Sequence, residues 1–400
     1  MSGTKAIAEF FGLKRNLVIL LIATFAIGAG EELWMRFLPK YLQALGATVF
    51  IIGLFDALRN FLGAIYAYPG GILVDRWGHR HAFVAFNIFS IAGYALVLLI
   101  PHWGAVIAGM FLFLSWTCFS LPASFSLIGA SLAANRHATG IGTQAVIKRI
   151  PIMIAPFIGG ILIDRYGIVS GVRIALAISI VISLGTIFVQ RQLRDAPTHT
   201  LDRPERWSFL RSVREFNGPL RRLLLSDILV RFCERIPFAW TVIYVMDNLG
   251  LSAKQFGVLT TVEMLAATLC IIPASHFADK YGREPFVIAT FGFFTLFPLI
   301  LFYSTTFPML LFAFTIRGLK EFGDAARKAL IIGCAEPGRR GQMVGAYYLI
   351  RDLLVSGAAL LGAALWKFGP EVNFMSAAAV GAFGTLFYML TLKRGEPARI

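Results

Sequence analysis

Apolar runs of about twenty residues recur from one end of this chain to the other, separated by short polar breaks. A run of that length laid out as an α-helix crosses a bilayer core of roughly 30 Å. Read this way, the pattern predicts twelve membrane-spanning helices, at 17–43, 49–74, 82–101, 105–132, 139–163, 169–190, 223–247, 255–278, 286–305, 308–333, 342–366 and 372–392. Ahead of the first lies an amphipathic stretch, Ile7 to Leu13, expected to lie in the membrane interface rather than to act as a cleaved signal.

One polar break is long. Residues 191–222 hold eight arginines and three prolines, with a short interfacial helix expected around Trp207 to Phe216. This segment divides the chain into a first bundle at 1–190, a linker at 191–222 and a second bundle at 223–400. The two bundles repeat one another. Gly46, Gly53, Pro69, Asp75 and Gly78 have partners 204 positions later at Gly250, Gly257, Pro273, Asp279 and Gly282. Further on the offset is 203, pairing Arg136 with Arg339, Gly142 with Gly345, Lys148 with Arg351 and Gly159 with Gly362. The expected fold is therefore an all-α membrane protein, two six-helix bundles related by pseudo-twofold symmetry. Such a duplication places a solute site near the midplane between the bundles.

Composition agrees with the pattern. Of the 400 residues 57% are hydrophobic and only 15% charged, against about 25% charged in an ordinary soluble domain. The net charge of +15 does not indicate nucleic acid, because the positive residues gather in alternate short loops. Those loops contain Arg76, His79, Arg80 and His81, Arg136 and His137, Lys280 and Arg283, and Arg339 and Arg340. The positive-inside rule puts them, and both termini, on the cytoplasmic side, in a bacterial cell the inner membrane. Cys118, Cys233, Cys270 and Cys334 are scattered and read as small buried hydrophobes, with neither disulfide nor metal spacing. Neither a metal nor a cofactor is called for. No Ser-His-Asp arrangement or phosphate-binding loop stands out, and the six histidines sit in loops, in the linker or at span ends, which argues against an enzyme and against direct ATP drive.

The stretch from Gly71 through Asp75, Arg76, Gly78 and Arg80 resembles the signature loop between spans two and three of the major facilitator superfamily, and a degenerate copy runs from Ala278 through Asp279 to Arg283. Ala155-Pro156-Phe157-Ile158-Gly159-Gly160 is similar to part of a span-five motif of proton-coupled exporters. The resemblance covers essentially the whole chain. It implies a carrier that works as a monomer by alternating access, with a cytoplasmic latch. In that latch Asp75 would meet the positive N-terminal end of span eleven, and Arg76 and Arg80 would reach neighbouring helix ends. Span four ends without the acid that often meets the loop arginine, whereas Glu336 in the second half is placed to meet Arg283.

The spans carry many ionisable residues, which are costly in a bilayer and usually face a cavity or a partner. They are Glu31, Glu32 and Arg36 in span one; Asp56 and Arg59 in span two; Lys148 and Arg149 in span five; Asp227, Arg231, Glu234 and Arg235 in span seven; and Glu263 in span eight. Span ten has Arg317, Lys320, Glu321, Asp324, Arg327 and Lys328, and span eleven Arg351 and Asp352. Spacings of three and four predict the pairs Glu32–Arg36, Asp56–Arg59 and Asp227–Arg231, and stripes Asp227–Arg231–Glu234 (or Arg235) and Arg317–Glu321–Asp324. Arg351–Asp352 is a further expected pair. Arg327 and Lys328 are expected near the cytoplasmic end, as latch or snorkelling residues.

The resemblance implies that spans one, four, seven and ten line the cavity; three of these carry charges, and span four offers Ser115, Trp116, Thr117, Ser120, Ser124 and Ser126. Lys148, Arg149, Glu263, Arg317 and Glu321 are mid-span, and three are basic, which favours an anionic or zwitterionic solute. Glu32, Glu234 and Glu321 are the candidate proton-coupling carboxylates, and sodium coupling is open beside it. Two other readings stand: a multidrug efflux pump with an aromatic, weakly charged cavity, and a non-transporting membrane receptor.

Overall fold

The computed structural model describes residues 15–131, 137–193, 213–214, 216–334 and 340–392. Among these residues there is no strand. The helices are α1 (Arg15–Met35), α2 (Leu38–Ala44), α3 (Val49–Leu99), α4 (Trp103–Ser131), α5 (His137–Tyr166), α6 (Ile168–Gln190) and α7 (Gly218–Arg235). After them come α8 (Phe238–Ile243), a π-helical turn (Tyr244–Asn248), α9 (Ala253–Tyr281), α10 (Glu284–Tyr303), α11 (Phe307–Leu319), α12 (Asp324–Gly333), α13 (Arg340–Trp366) and α14 (Pro370–Leu392). Among the described residues ten helical segments are long and apolar enough to cross a membrane. The stretches at 7–13 and 207–212 lie outside the described residues.

The all-helical, two-half architecture holds, but three spans expected as continuous helices are broken. Span one is divided into α1 and α2 at Arg36 and Phe37, with Pro39 in the first turn of α2, where its missing N–H leaves no bond unmade. Span seven is divided into α7 and α8 at Ile236 and Pro237, because proline cannot complete the hydrogen-bond ladder. Span ten is divided into α11 and α12 at Lys320–Gly323. There 3₁₀-type bonds from Lys320 N–H to Arg317 O and from Glu321 N–H to Gly318 O tighten the turn, and the Gly323 N–H donates to Thr290 Oγ1 at 2.5 Å. Spans seven and ten are the two missing from the ten apolar crossings. Spans two and three, by contrast, run together in α3, with the expected loop reduced to a kink at Gly78 (φ 76°, ψ 161°).

The duplication is visible in the backbone. Every described residue with positive φ is a glycine, and the six fall into three repeat-related pairs: Gly46 and Gly250, Gly78 and Gly282, Gly167 and Gly369. A residue with a Cβ resists that conformation. The close helix contacts repeat too. A Cβ on Gly159 of α5 would run into the Leu33 carbonyl of α1, and one on Gly362 of α13 would run into the Ile236 carbonyl at the end of α7. Gly53 would meet the Ala359 carbonyl at 3.0 Å and Gly257 the Pro156 carbonyl at 2.7 Å. Small residues at such crossings let helices approach to backbone contact, the main source of helix association where lipid supplies no hydrophobic drive.

The chain forms two compact units: 1–47 with 62–202 and 252–258, and 48–61 with 203–251 and 259–400. The first packs α1 against α5 and α6. At its centre Trp34 is wholly buried, edge-on to Tyr94 and Phe113 at 5.7 and 5.3 Å between ring centroids. The Ser179 hydroxyl accepts from the Trp34 indole at 3.3 Å and donates to the Gly30 carbonyl at 2.7 Å. The second packs α7 against α13 and α14, and α10 against α14.

Candidate functional site

The second unit holds a continuous chain of buried charges. It starts at Asp227, in the middle of α7 and 1% exposed. Both of its oxygens accept from Arg327 Nη1 of α12, and Oδ2 also accepts from the Tyr347 hydroxyl at 3.1 Å and from Arg351 Nη1 at 3.3 Å, both of α13. One turn on, Arg231 lies 3.8 Å from Asp227 and donates to Glu234 at 2.7 Å. Lys320, at the break in span ten, bridges Glu234 at 2.9 Å and Glu263 of α9 at 3.4 Å. Arg317 of α11 closes the line, 3.4 Å from the same Glu263 oxygen. Asp324 holds both Arg327 and Lys328.

Local sequence explains the geometry. Gly318 brings α11 so close to α9 that a Cβ there would strike the Glu263 carbonyl; that contact delivers Arg317 and Lys320, either side of it, to the Glu263 carboxylate. Burying so many charges costs several kcal/mol per ion unless each is paired and hydrogen-bonded. Here the signs alternate along the line. Phenyl faces cover much of the rest: Arg231 lies over Phe294 at 5.0 Å, and Arg317 over Phe297 at 4.8 Å and Phe314 at 5.6 Å. Glu234, Arg317 and Lys320 line a small pocket with Phe293, Phe294 and Phe297.

Also in this unit, Arg59 pairs with Asp56 at 3.0 Å and stacks on Phe238 at 5.0 Å, and Arg351 pairs with Asp352 at 2.7 Å. In the first unit Glu32 and Arg36 lie 3.5 Å apart, so all four pairs read from spacing are formed. Glu31, 8% exposed, accepts from the Thr117 hydroxyl of α4 at 2.7 Å. Lys148 is exposed and Arg149 half-buried on α5.

Two expectations change. Arg327 is no snorkelling residue: it is 3% exposed and the main partner of Asp227. The stripe Arg317–Glu321–Asp324 does not exist as one helix face, because Glu321 sits in the break. Among the latch residues, Gly71 and Asp75 are helical within α3, Arg76, Arg80 and Asp279 are exposed, and Arg283 precedes the first turn of α10. The side-chain surroundings of Asp75, and Glu336 altogether, lie outside the described residues.

Sequence reasoning missed Asp164. Placed near the end of α5, its two oxygens accept the first N–H groups of α9, from Ala253 at 2.8 Å and Lys254 at 3.0 Å. It caps a helix 90 residues away. The signal in the sequence was an acid four residues after Gly160, whose missing Cβ lets the two backbones meet.

Charged, broken helices within an otherwise apolar helical duplication are the architecture of a polytopic membrane protein. The model of the Major Facilitator Superfamily matches residues 20–244 and 223–400, and the chain belongs to that family. It is similar to the multidrug resistance protein MdtG of Citrobacter koseri, 24% identical over 95% of this chain and 96% of that one. The fold is that of the nucleoside transporter NupG (TM-score 0.75, 13% identity, 95% and 100% coverage). It is likewise that of the human organic anion transporter MFSD10 (TM-score 0.62, 13% identity, 94% and 99% coverage).

Proposed function

We propose that this protein is a proton-coupled carrier of a small anionic or zwitterionic solute, working by alternating access in the cytoplasmic membrane with both termini inside. The observation that carries the reading is the ionic line from Arg327 to Arg317, built on the broken spans seven and ten. A cavity for lipophilic cations has no use for Arg231, Arg317, Lys320 and Arg351 together. Carboxylates interleaved with these cations give protons a place to exchange with the solute, and Glu321, in the break between α11 and α12, is the coupling group to test first. Alternating access by bundles at 1–190 and 223–400 would supply the motion.

The test is uptake of labelled organic anions, zwitterions and lipophilic cations into proteoliposomes, with and without a pH gradient. The expected result is accumulation of an anion or zwitterion that follows the gradient and fails in Glu321→Gln. Transport of lipophilic cations alone would sink the reading. That outcome belongs to the second reading, multidrug efflux, which the relatives named for multidrug resistance and the phenylalanine-lined pocket favour.

A further inference from the structure

Three arginines from three different spans converge on one ring. The guanidinium carbons of Arg235, Arg59 and Arg317 lie 4.8, 5.0 and 5.6 Å from the centroid of Phe238. They come from the last residue of α7, from α3 and from α11. Phe238 opens α8, directly after the break at Pro237, so the broken span itself presents the ring.

The three are not equally satisfied. Arg59 has Asp56 at 3.0 Å and Arg317 has Glu263 at 3.4 Å. Among the described residues no carboxylate lies within 4.0 Å of Arg235, and its buried Nη1 has no hydrogen-bond partner. Its neighbour Glu234 is committed to Arg231 at 2.7 Å and Lys320 at 2.9 Å. Four residues before Arg235 stands Arg231, whereas four before Arg36, at the matching break of span one, stands Glu32. A buried guanidinium donor without an acceptor is costly, and three guanidiniums around one ring repel one another. An oxyanion between them would relieve both.

We propose that Arg235, with Arg59 and Arg317 gathered around Phe238, docks the oxyanion of the carried solute, a carboxylate or a phosphate monoester. The proposal rests on the anion-carrier reading and gives that reading its binding group. Guanidinium suits either anion because its parallel N–H donors match two oxygens at once. The bland alternative is that Arg235 only serves the negative C-terminal end of α7. The two differ in what arginine shape is for: a helix-end cation is replaceable by lysine, a bidentate dock is not.

The test uses purified full-length protein, titrated with benzoate, phenyl phosphate and tetraphenylphosphonium, with binding followed by calorimetry and folding by thermal unfolding. Benzoate or phenyl phosphate should bind the wild type, and the two arms decide which oxyanion is taken. Arg235→Gln should weaken that binding at least tenfold, with Arg235→Lys recovering only part of it and tetraphenylphosphonium unaffected. Phe238→Leu, which keeps an apolar side chain, should weaken it several-fold and serves if Arg235→Gln does not fold. Unchanged anion affinity in folded Arg235→Gln or Phe238→Leu, or full recovery in Arg235→Lys, overturns the dock and leaves the anion carrier standing. Binding of tetraphenylphosphonium alone by the wild type overturns both.

Discussion

The two units use the same small residues to bring helices together and bury very different things between them. Gly159 against Leu33 and Gly362 against Ile236 are the same contact made twice. Yet among the described residues the first unit surrounds its crossing with Trp34, Tyr94 and Phe113 and buries the acid Glu31, while the second buries Asp227, Glu263, Arg317 and Arg327. A backbone crossing leaves no room for a Cβ, so a duplicated copy keeps its glycine or loses the fold. A buried charge needs only a partner, so the two copies were free to diverge in charge once one of them acquired pairs.

The comparison breaks first at Asp227. Asp227→Asn keeps the shape but leaves Arg327 buried with half its compensation, and should cost about 3–5 kcal/mol, read as thermal unfolding in detergent. A loss under about 1 kcal/mol would mean that the ionic line is not holding the second unit. Gly159→Ala and Gly362→Ala should each cost about 1–3 kcal/mol by forcing their crossing apart. If only one does so, the contacts are not equivalent. Glu31→Gln should cost about 1 kcal/mol through the hydrogen bond that Glu31 accepts from Thr117. A cost like that of Asp227→Asn would show that the first unit hides a charge network of its own. Lys328→Ala should change stability by less than about 1 kcal/mol, because Lys328 is 56% exposed and exposed pairs contribute little.

What the sequence made legible was local or periodic. Pairs three or four apart, such as Asp56–Arg59, follow from helix geometry alone, and the glycine pairs 46/250 and 78/282 follow from the repeat offset. The third pair, Gly167 and Gly369, is offset by 202 and was missed because the register slips there. Long-range partners were out of reach. Nothing in the order of residues says that Asp227 takes Arg327, 100 positions on, or that Asp164 caps α9. The break in span ten was hidden as well: 308–333 reads as one span with no proline at the break, and the turn there is held by Thr290 of α10. Arg235 stands out only once the carboxylates around it are seen to be engaged.

The charge in α7 also bears on how the chain enters the membrane. At the centre of a span each Asp, Lys or Arg opposes insertion by about 2.5–3.5 kcal/mol, and Asp227, Arg231, Glu234 and Arg235 together outweigh the leucines around them. Two of the partners, Lys320 for Glu234 and Arg327 for Asp227, are made 86 and 100 residues later. The nascent seventh span must therefore wait, shielded at the insertion machinery or against earlier helices, until the tenth has been synthesised. A ribosome stalled before Arg327 would leave Asp227 with Arg231 of its own helix but without its main partner.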